Sequence, residues 1–437
     1  MDIAVVGGGL AGLTAGALIA AQGAKVTVFE AAGELGGDAR TTVRDGYYFN
    51  LGAHALYQGG AGARVRRRLG VEVTGGRPAA SSPAFALEGR LYPLLRARGG
   101  LPVRDRVEAA RLLAVAVRQD PARESTNSVR SWLDDHVRRP GARAIAEAGF
   151  RVATYSAEYD RLSAGAGLAQ VTVAVRGGVR YLDGGWSSLV EALRARAVQA
   201  GAVIAAGERV ASVEHDDPAK GVRLGVRLGV RLASGRALPF EGIVLATGGP
   251  GEAAKLLDGP AAEHLAAYDA ARVPVRAACL DLALSHLSNP DPPYVLGLDE
   301  PVYLSVHSRY GKLAPDGGAL VHAMWYLRDG DDPQAARHRL EALLDLAQPG
   351  WRALVVHQRF LPRLEVASAL PTADTGGLAG RPGPVVPSVE GLFLAGDWVG
   401  GEGLLADASF ASAEQATDLL LARLRGHGRR PATLTSR

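Results

Sequence analysis

Six residues near the start of the chain have the spacing of a phosphate cradle. In Gly7-Gly8-Gly9-Leu10-Ala11-Gly12, the glycine at 7 permits a tight turn, and the one at 9 permits close approach of a pyrophosphate. The glycine at 12 permits close packing of a helix on a strand. About twenty residues on, Glu30 offers a carboxylate that can accept hydrogen bonds from ribose hydroxyls. Gly36-Gly37 lets a loop pass close over a ligand, and Arg40 can meet a pyrophosphate. His54, in the turn Gly52-Ala53-His54, is suited to positioning a substrate or accepting a proton, or else bonds the backbone and shapes its loop. Trp398, after Asp397, walls a pocket or packs in the core. Tyr57 and Tyr155 are further pocket-lining candidates, and Asp407 reads as an acid at a helix N-terminus. His307 and His322 fall in strand candidates and cannot be ranked.

These groups need elements to hold them. Asp2-Ile3-Ala4-Val5-Val6 reads as a buried parallel strand, Leu13 to Ala21 as an Ala-rich helix, and Lys25-Val26-Thr27-Val28-Phe29 as a second strand ending in Glu30. That is a βαβ unit whose helix N-terminus offers free N–H groups and a positive dipole end to an anion. Phe240 to Thr247 and Gly391 to Asp397 read as further buried strands, and Ser409 to Arg425 as a closing helix.

Between these segments the texture changes. A hairpin (Phe85–Leu87, Leu91–Pro93) precedes helices expected at Asp105–Gln119, Ser128–Val137 and Ala142–Thr154. The first is amphipathic, suited to packing on its neighbours or to peripheral contact with a membrane. Strand candidates are Val203–Ile204, Glu208–Val213, Val273–Leu284, Val302–His307, Ala319–Tyr326 and Ala353–Phe360, with helices at Leu189–Ala200 and Pro333–Leu346. A Gly-Val-Arg-Leu repeat runs three times from Gly221 to Leu232; its alternation suits an exposed hairpin and it is given no chemistry.

Composition narrows the classes. The 437 residues are 47% apolar and 22% charged, ordinary globular usage with capacity for two or three domains. The net charge is +4, but lysine occurs only at Lys25, Lys220, Lys255 and Lys312, and the arginines are scattered rather than striped beside aromatics. Nucleic acid is therefore not an expected partner. A single cysteine, Cys279 in an apolar run, excludes an internal disulfide and a cysteine-based metal cluster; no metal site is expected. No 18-residue uncharged apolar run occurs, and the first core strand starts at residue 2, so the expected location is the cytoplasm. His-Glu-x-x-His, Gly-Lys-Ser/Thr and Gly-x-Ser-x-Gly are absent, which leaves hydrolase and kinase readings without support.

Taken in order, Gly7-x-Gly9-x-x-Gly12, Glu30, Gly36-Gly37-x-x-Arg40, Gly184-Gly185-Trp186-x-x-Leu189 and Leu394-Ala395-Gly396-Asp397 resemble the FAD-dependent oxidoreductases that include phytoene desaturases, protoporphyrinogen oxidases and flavin amine oxidases. The resemblance implies an α/β chain with a Rossmann-like FAD-binding domain assembled from separated segments (1–75, 180–250 and 385–425). An interleaved α+β substrate domain (76–179 and 251–384) would carry a mixed sheet with helical cover, and 426–437 would be a disordered tail. It implies that Gly7, Gly9, Leu10, Ala11, Gly12 and Glu30 hold the ADP half of FAD. Gly36, Gly37 and Arg40 would lie at the pyrophosphate, and Val210 would meet the adenine through its main chain. Gly396 and Asp397 would serve the ribityl or pyrophosphate region, and Leu405-Ala406 and Gly52-Ala53 would lie near the flavin.

Three positions depart from the family pattern: Asp38 stands where many relatives have Arg, Asn50 replaces an acid, and Arg276 stands where flavin amine oxidases place Lys. Arg276, His54 and Trp398 are the side chains carried as catalytic positions, although a guanidinium cannot shuttle a proton at neutral pH. The implied activity is hydride removal from an apolar or polycyclic organic molecule, with oxygen, a quinone or another acceptor taking the electrons. An amine or amino-acid oxidase, a redox-neutral isomerase and a non-catalytic flavin-binding partner remain open.

Overall fold

The computed structural model describes residues 1–52, 54–78, 83–93, 101–215 and 228–427. The opening βαβ unit forms as its sequence requires: strand Asp2–Val6, helix Leu10–Ala20, strand Lys25–Glu30. These strands sit inside a five-stranded sheet in the order Val203–Ala206, Lys25–Glu30, Asp2–Val6, Gly242–Leu245, Leu392–Leu394. Every pairing is parallel, so both faces need cover. Helices Leu10–Ala20, Ser187–Gln199 and Ala406–His427 pack on one face. A three-stranded antiparallel sheet, Val210–His215, Leu228–Leu232 and Ala237–Phe240, covers the other. Helix Leu10–Ala20 is buried at every position from Ala11 to Ala20, which accounts for a sequence of small and apolar residues without a polar stripe. The strand order reverses direction at Asp2–Val6, with later strands added on either side. A crevice opens at the carboxyl ends of the strands at such a switch point.

A second sheet has seven strands in the order Val355–Ala367, Val275–Leu284, Ala319–Leu327, Val302–Val306, Tyr294–Gly297, Pro83–Leu87, Arg90–Pro93. It is mixed: Tyr294–Gly297 runs parallel to Pro83–Leu87 and the other pairs are antiparallel. Alternation along the strands sends Leu280, Leu282, Val321 and Leu304 against helix Pro333–Ala347 on one face. Ala277, Cys279, Met324, Tyr326 and Tyr303 face the helices Val103–Ala116, Val129–His136, Pro140–Thr154 and Ala164–Gly177 on the other.

Most expected elements form with ends shifted by a few residues. Helix Ala164–Gly177 is an addition: its glycines and β-branched residues give weak helix propensity, and burial overrides that weakness. Gly165 and Gly167 permit the packing, because a Cβ at Gly165 would lie 2.3 Å from the Pro121 carbonyl oxygen and one at Gly167 2.9 Å from Phe150. Of the Gly-Val-Arg-Leu repeat, Leu228–Leu232 is the central strand of the small antiparallel sheet. The first copies, Ala53 and the expected C-terminal tail from 428 onward lie outside the described residues. Among the described residues no helix is long and apolar enough to cross a membrane.

Candidate functional site

A cavity of about 410 Å³ occupies the crevice at the carboxyl ends of the parallel strands. Its floor is the glycine turn. Gly7 has φ +113°, and a Cβ there would lie 2.1 Å from the Ala246 carbonyl oxygen; one at Gly12 would lie 1.8 Å from the Gly7 carbonyl oxygen. Those two glycines are fixed by packing within the protein. Gly9 differs: a Cβ there would meet only the Gly36 carbonyl oxygen, at 4.0 Å, and Gly9 itself lines the cavity. Helix Leu10–Ala20 begins at Gly9 with no side-chain cap and no acid in its first turn, while Leu10 and Ala11 line the cavity. Uncapped N–H groups and a positive dipole end therefore border the space, a ready anion site.

Around this floor the chain is drawn in from distant segments. Glu30 lines the cavity with both oxygens braced, Oε2 accepting from Gly8 N at 2.7 Å and Oε1 from Ala32 N at 2.8 Å. Gly36, at φ +114°, bridges to Gly9 and donates its N–H to the Gly8 carbonyl at 2.8 Å. Gly36, Gly37, Val210, Gly396, Asp397, Leu405 and Ala406 all line the same space. Asp397 Oδ2 accepts from Ser368 N at 2.7 Å, and its carbonyl accepts from Arg381 Nη1 at 2.9 Å. Leu405 takes a left-handed conformation (φ +55°) to turn the chain into the closing helix.

Asp407, in the first turn of that helix, is buried. Its Oδ1 accepts from Gly62 N at 2.7 Å, and its Oδ2 has no partner among the described residues. Burial pushes its carboxyl up to about 6; the Gly62 N–H opposes the rise and Glu402 adds to it.

His54 also lines the cavity. Its Nδ1 lies 3.3 Å from the Gly52 carbonyl oxygen and its ring packs edge-on at 5.0 Å from Trp186. Burial lowers the ring to about 4, with the Gly52 carbonyl working against the shift and the nearby His322 and Arg359 adding to it. His54 is thus a neutral imidazole near pH 7, and donation from Nδ1 to Gly52 leaves Nε2 as an acceptor. The loop is set by Asn50, whose Oδ1 accepts from Trp186 N at 2.9 Å and from Thr41 Oγ1 at 2.8 Å. Tyr57, Tyr155, Met324 and Leu364 complete an apolar side of the cavity.

Other expected positions fall elsewhere. Arg40 is exposed, donates Nε–H to the Gly37 carbonyl at 3.1 Å and is not among the lining residues; Asp38 is. Gly12 and Gly52 stand behind the wall, Gly52 because a Cβ there would lie 2.7 Å from Leu364 Cδ2 and 3.1 Å from Cys279 Sγ. Trp398 is fully buried in the core beneath Gly396 and beside Tyr268, so it does not wall the pocket; the turn that follows the strand Leu392–Leu394 carries it inward. Arg276 lines a separate charged cleft of about 440 Å³ with Arg161, Arg272, Arg328 and Arg363.

Thr247, Ser368, Glu365 and Ser409 also line the cavity, beyond the positions expected from sequence. Thr247, which ends a buried strand before Gly248, carried the recognisable sign of a strand-end ligand position. The other three depend on register and helix phase.

Comparison with known proteins agrees with this geometry. The family model of the NAD(P)-binding Rossmann-like domain matches residues 5–69. The 4,4'-diapophytoene desaturase (4,4'-diaponeurosporene-forming) of Staphylococcus aureus strain Newman is 46% identical over 52 residues, 12% of this chain and 10% of that protein. The match thus spans about a tenth of the curated relative's length. Among solved structures, an oxidoreductase from Methanosarcina mazei superposes with a TM-score of 0.75 at 19% identity, covering 96% of this chain and 100% of that one. Putrescine oxidase bound to putrescine superposes with a TM-score of 0.70 at 14% identity, covering 97% and 99%. These likenesses agree with the motif resemblance: the N-terminal segment matches a Rossmann-like family, and over nearly its whole length the chain carries the fold of these oxidoreductases.

Proposed function

We propose that this chain is an FAD-dependent oxidoreductase that removes hydride from a carbon of an apolar or polycyclic organic molecule. The observation that carries the reading is the single cavity joining the open Gly9 cradle and Glu30 to the start of the closing helix, with an apolar sheet face along its side. A dinucleotide fits the donor set: an uncapped helix N-terminus for phosphates, and the carboxylates of Glu30 and Asp397 for hydroxyls. FAD, when bound, supplies hydride acceptance from a C–H bond. Gly7, Gly9, Leu10, Ala11 and Glu30 would hold its ADP half, Val210 its adenine, and Gly396, Asp397, Leu405 and Ala406 the remainder.

The chain's own part is to orient and to exclude water. Tyr57, Tyr155, Met324 and Leu364 present an apolar wall that turns a substrate C–H inward. Neutral His54 offers a nitrogen lone pair to a substrate proton or hydroxyl at the same wall. The N-terminus of helix Ala406–His427, which borders the cavity through Leu405 and Ala406, would offer a positive dipole end to negative charge building on reduction.

We assign 1–75, 180–250 and 385–425 to a cofactor domain and 76–179 and 251–384 to a substrate domain. The division is supported by the parallel sheet drawing its strands from the first set and the seven-stranded sheet from the second. The likeness to putrescine oxidase favours a second reading, an amine oxidase. Oxygen, a quinone or another acceptor would take the electrons.

Anaerobic bleaching of the flavin bands against a panel of polycyclic, isoprenoid and amine substrates tests the reading. Bleaching by an apolar substrate supports a desaturase or oxidase, and peroxide release on amines supports the second reading. Protein that stays colourless after FAD is added contradicts both.

A further inference from the structure

Helix Val103–Ala116 is apolar on the side it turns to solvent as well as on the side it buries. Val103, Val107, Leu113 and Val115 are 60%, 44%, 43% and 45% exposed, and Ala110 is exposed with them. The positions the protein buries are Asp105, Leu112 and Ala116. A helix whose outer side met only water would carry polar residues there. Four large apolar side chains exposed within thirteen residues mark a face that binds something.

The charges of the helix are sorted between its two sides. Both acids face the protein. Asp105 Oδ1 accepts from Arg139 Nη1 at 3.2 Å, and Glu108 Oε1 accepts from the backbone N–H of Arg138 at 2.6 Å and of Arg139 at 3.2 Å. Arginines take the solvent side. Arg104, Arg111 and, just past the last turn, Arg118 are exposed and recur every seventh residue, close to two turns, so they form one stripe. Val107 and Ala114 alternate with them along it. Arg104 and Arg111 have no hydrogen-bond or ion-pair partner among the described residues, and Arg118 Nη1 donates to the Ala114 carbonyl at 3.3 Å. Arg111, Ala114, Val115 and Arg118 also line one open cleft of about 670 Å³.

We propose that this helix docks the protein on an anionic lipid surface and lies in the plane of the interface. Its 14 residues span about 21 Å, short of the roughly 30 Å hydrocarbon core, so it rests on a bilayer and does not cross one. The valines and Leu113 enter the boundary between headgroups and acyl chains. The arginine stems run along that apolar surface and lift their guanidiniums to the phosphates. Charge complementarity selects lipid as the occupant. A row of guanidiniums with no carboxylate on its side of the helix matches a sheet of phosphates, each of which a guanidinium can hold through two hydrogen bonds.

The test is flotation of the full-length protein with vesicles of phosphatidylcholine alone and of a roughly 7:3 mixture of phosphatidylcholine and phosphatidylglycerol, at low and high salt. Wild type should float with the anionic vesicles, far less with the neutral ones, and be released by salt. Replacing Arg104→Gln, Arg111→Gln and Arg118→Gln together should weaken partition onto anionic vesicles roughly hundredfold. Val107→Ser with Leu113→Ser should also weaken it, while circular dichroism stays that of wild type. Wild type that ignores anionic vesicles, or either variant floating as wild type does, overturns the proposal. So does self-association of wild type without vesicle binding, abolished by Val107→Ser with Leu113→Ser; the face would then join copies of this chain. The FAD reading stands in every case, because no residue of this face lines the cofactor cavity.

Discussion

His322 donates its Nδ1–H to Asp281 Oδ1 across 2.6 Å, and both side chains are withdrawn from solvent. The same carboxylate accepts from Arg359 Nε at 3.0 Å and Nη2 at 2.6 Å through its other oxygen. Arg359, Asp281, His322 and Ser305 stand directly opposite one another across four strands of the large sheet. Arg359 also donates to the carbonyl of Asn50, whose side chain holds Trp186 against His54. The polar row therefore braces the loop that brings His54 to the cavity.

Loss of one partner strands the others. Burial alone would push the Asp281 carboxyl up; His322 and Arg359 together outweigh it and hold it below the ordinary range. Its stabilising contribution is thus present above the unfolded value and is lost as pH falls through the lower folded one. Asp281→Asn should lower unfolding free energy by about 3–5 kcal/mol, because the fully buried pair with His322 is broken and the half-buried Arg359 guanidinium loses its counter-charge. Urea denaturation at neutral pH measures it, and a change below about 1 kcal/mol would show that the row carries little stability.

His54→Ala should retain FAD and fold normally, since the ring makes one long backbone contact. Turnover should fall roughly a hundredfold if His54 takes the substrate proton. With the ring held at about 4, the wild-type rate should show no His54 break above about pH 5. Unchanged turnover in the variant would assign His54 to shaping its loop.

Asp407 predicts a pH effect of the opposite sign to Asp281. Its folded value of about 6 lies above the ordinary 3.8, so the native state binds the extra proton between them and stability falls as pH rises through that window. The loss amounts to roughly 3 kcal/mol. Thermal unfolding of Asp407→Asn across the same range should lose this dependence, while a persistent slope would place it on another group.

Much of the cofactor side was legible because local signals carry it. The turn at Gly7 and Gly12, the βαβ unit and the strand ending at Asp397 each declare themselves within a few residues. Contacts set by register did not. The row from Arg359 to Ser305 joins four strands whose pairing no local pattern states. Position alone leaves Trp398, after Asp397, as either a pocket wall or core, and the fold buries it beneath Gly396. Arg40 follows the glycine pair as a phosphate ligand should, but the 3-10 turn Gly37–Ala39 presents Asp38 to the cavity in its place. Helix Ala164–Gly177 escaped because its stability is tertiary rather than intrinsic.

Gly9 is the glycine of the turn at which a side chain would meet the cavity rather than the fold. Gly7 and Gly12 have no room for a side chain within the protein itself, so changes there damage the fold as well as the site. At Gly9 only the cavity would be filled. The decisive measurement is the flavin content of purified Gly9→Val, read from the visible absorption bands beside circular dichroism of the same sample. A folded protein that no longer retains FAD, where wild type does, is the predicted result. Wild-type flavin content in folded Gly9→Val would contradict the assignment of the cradle to the cofactor.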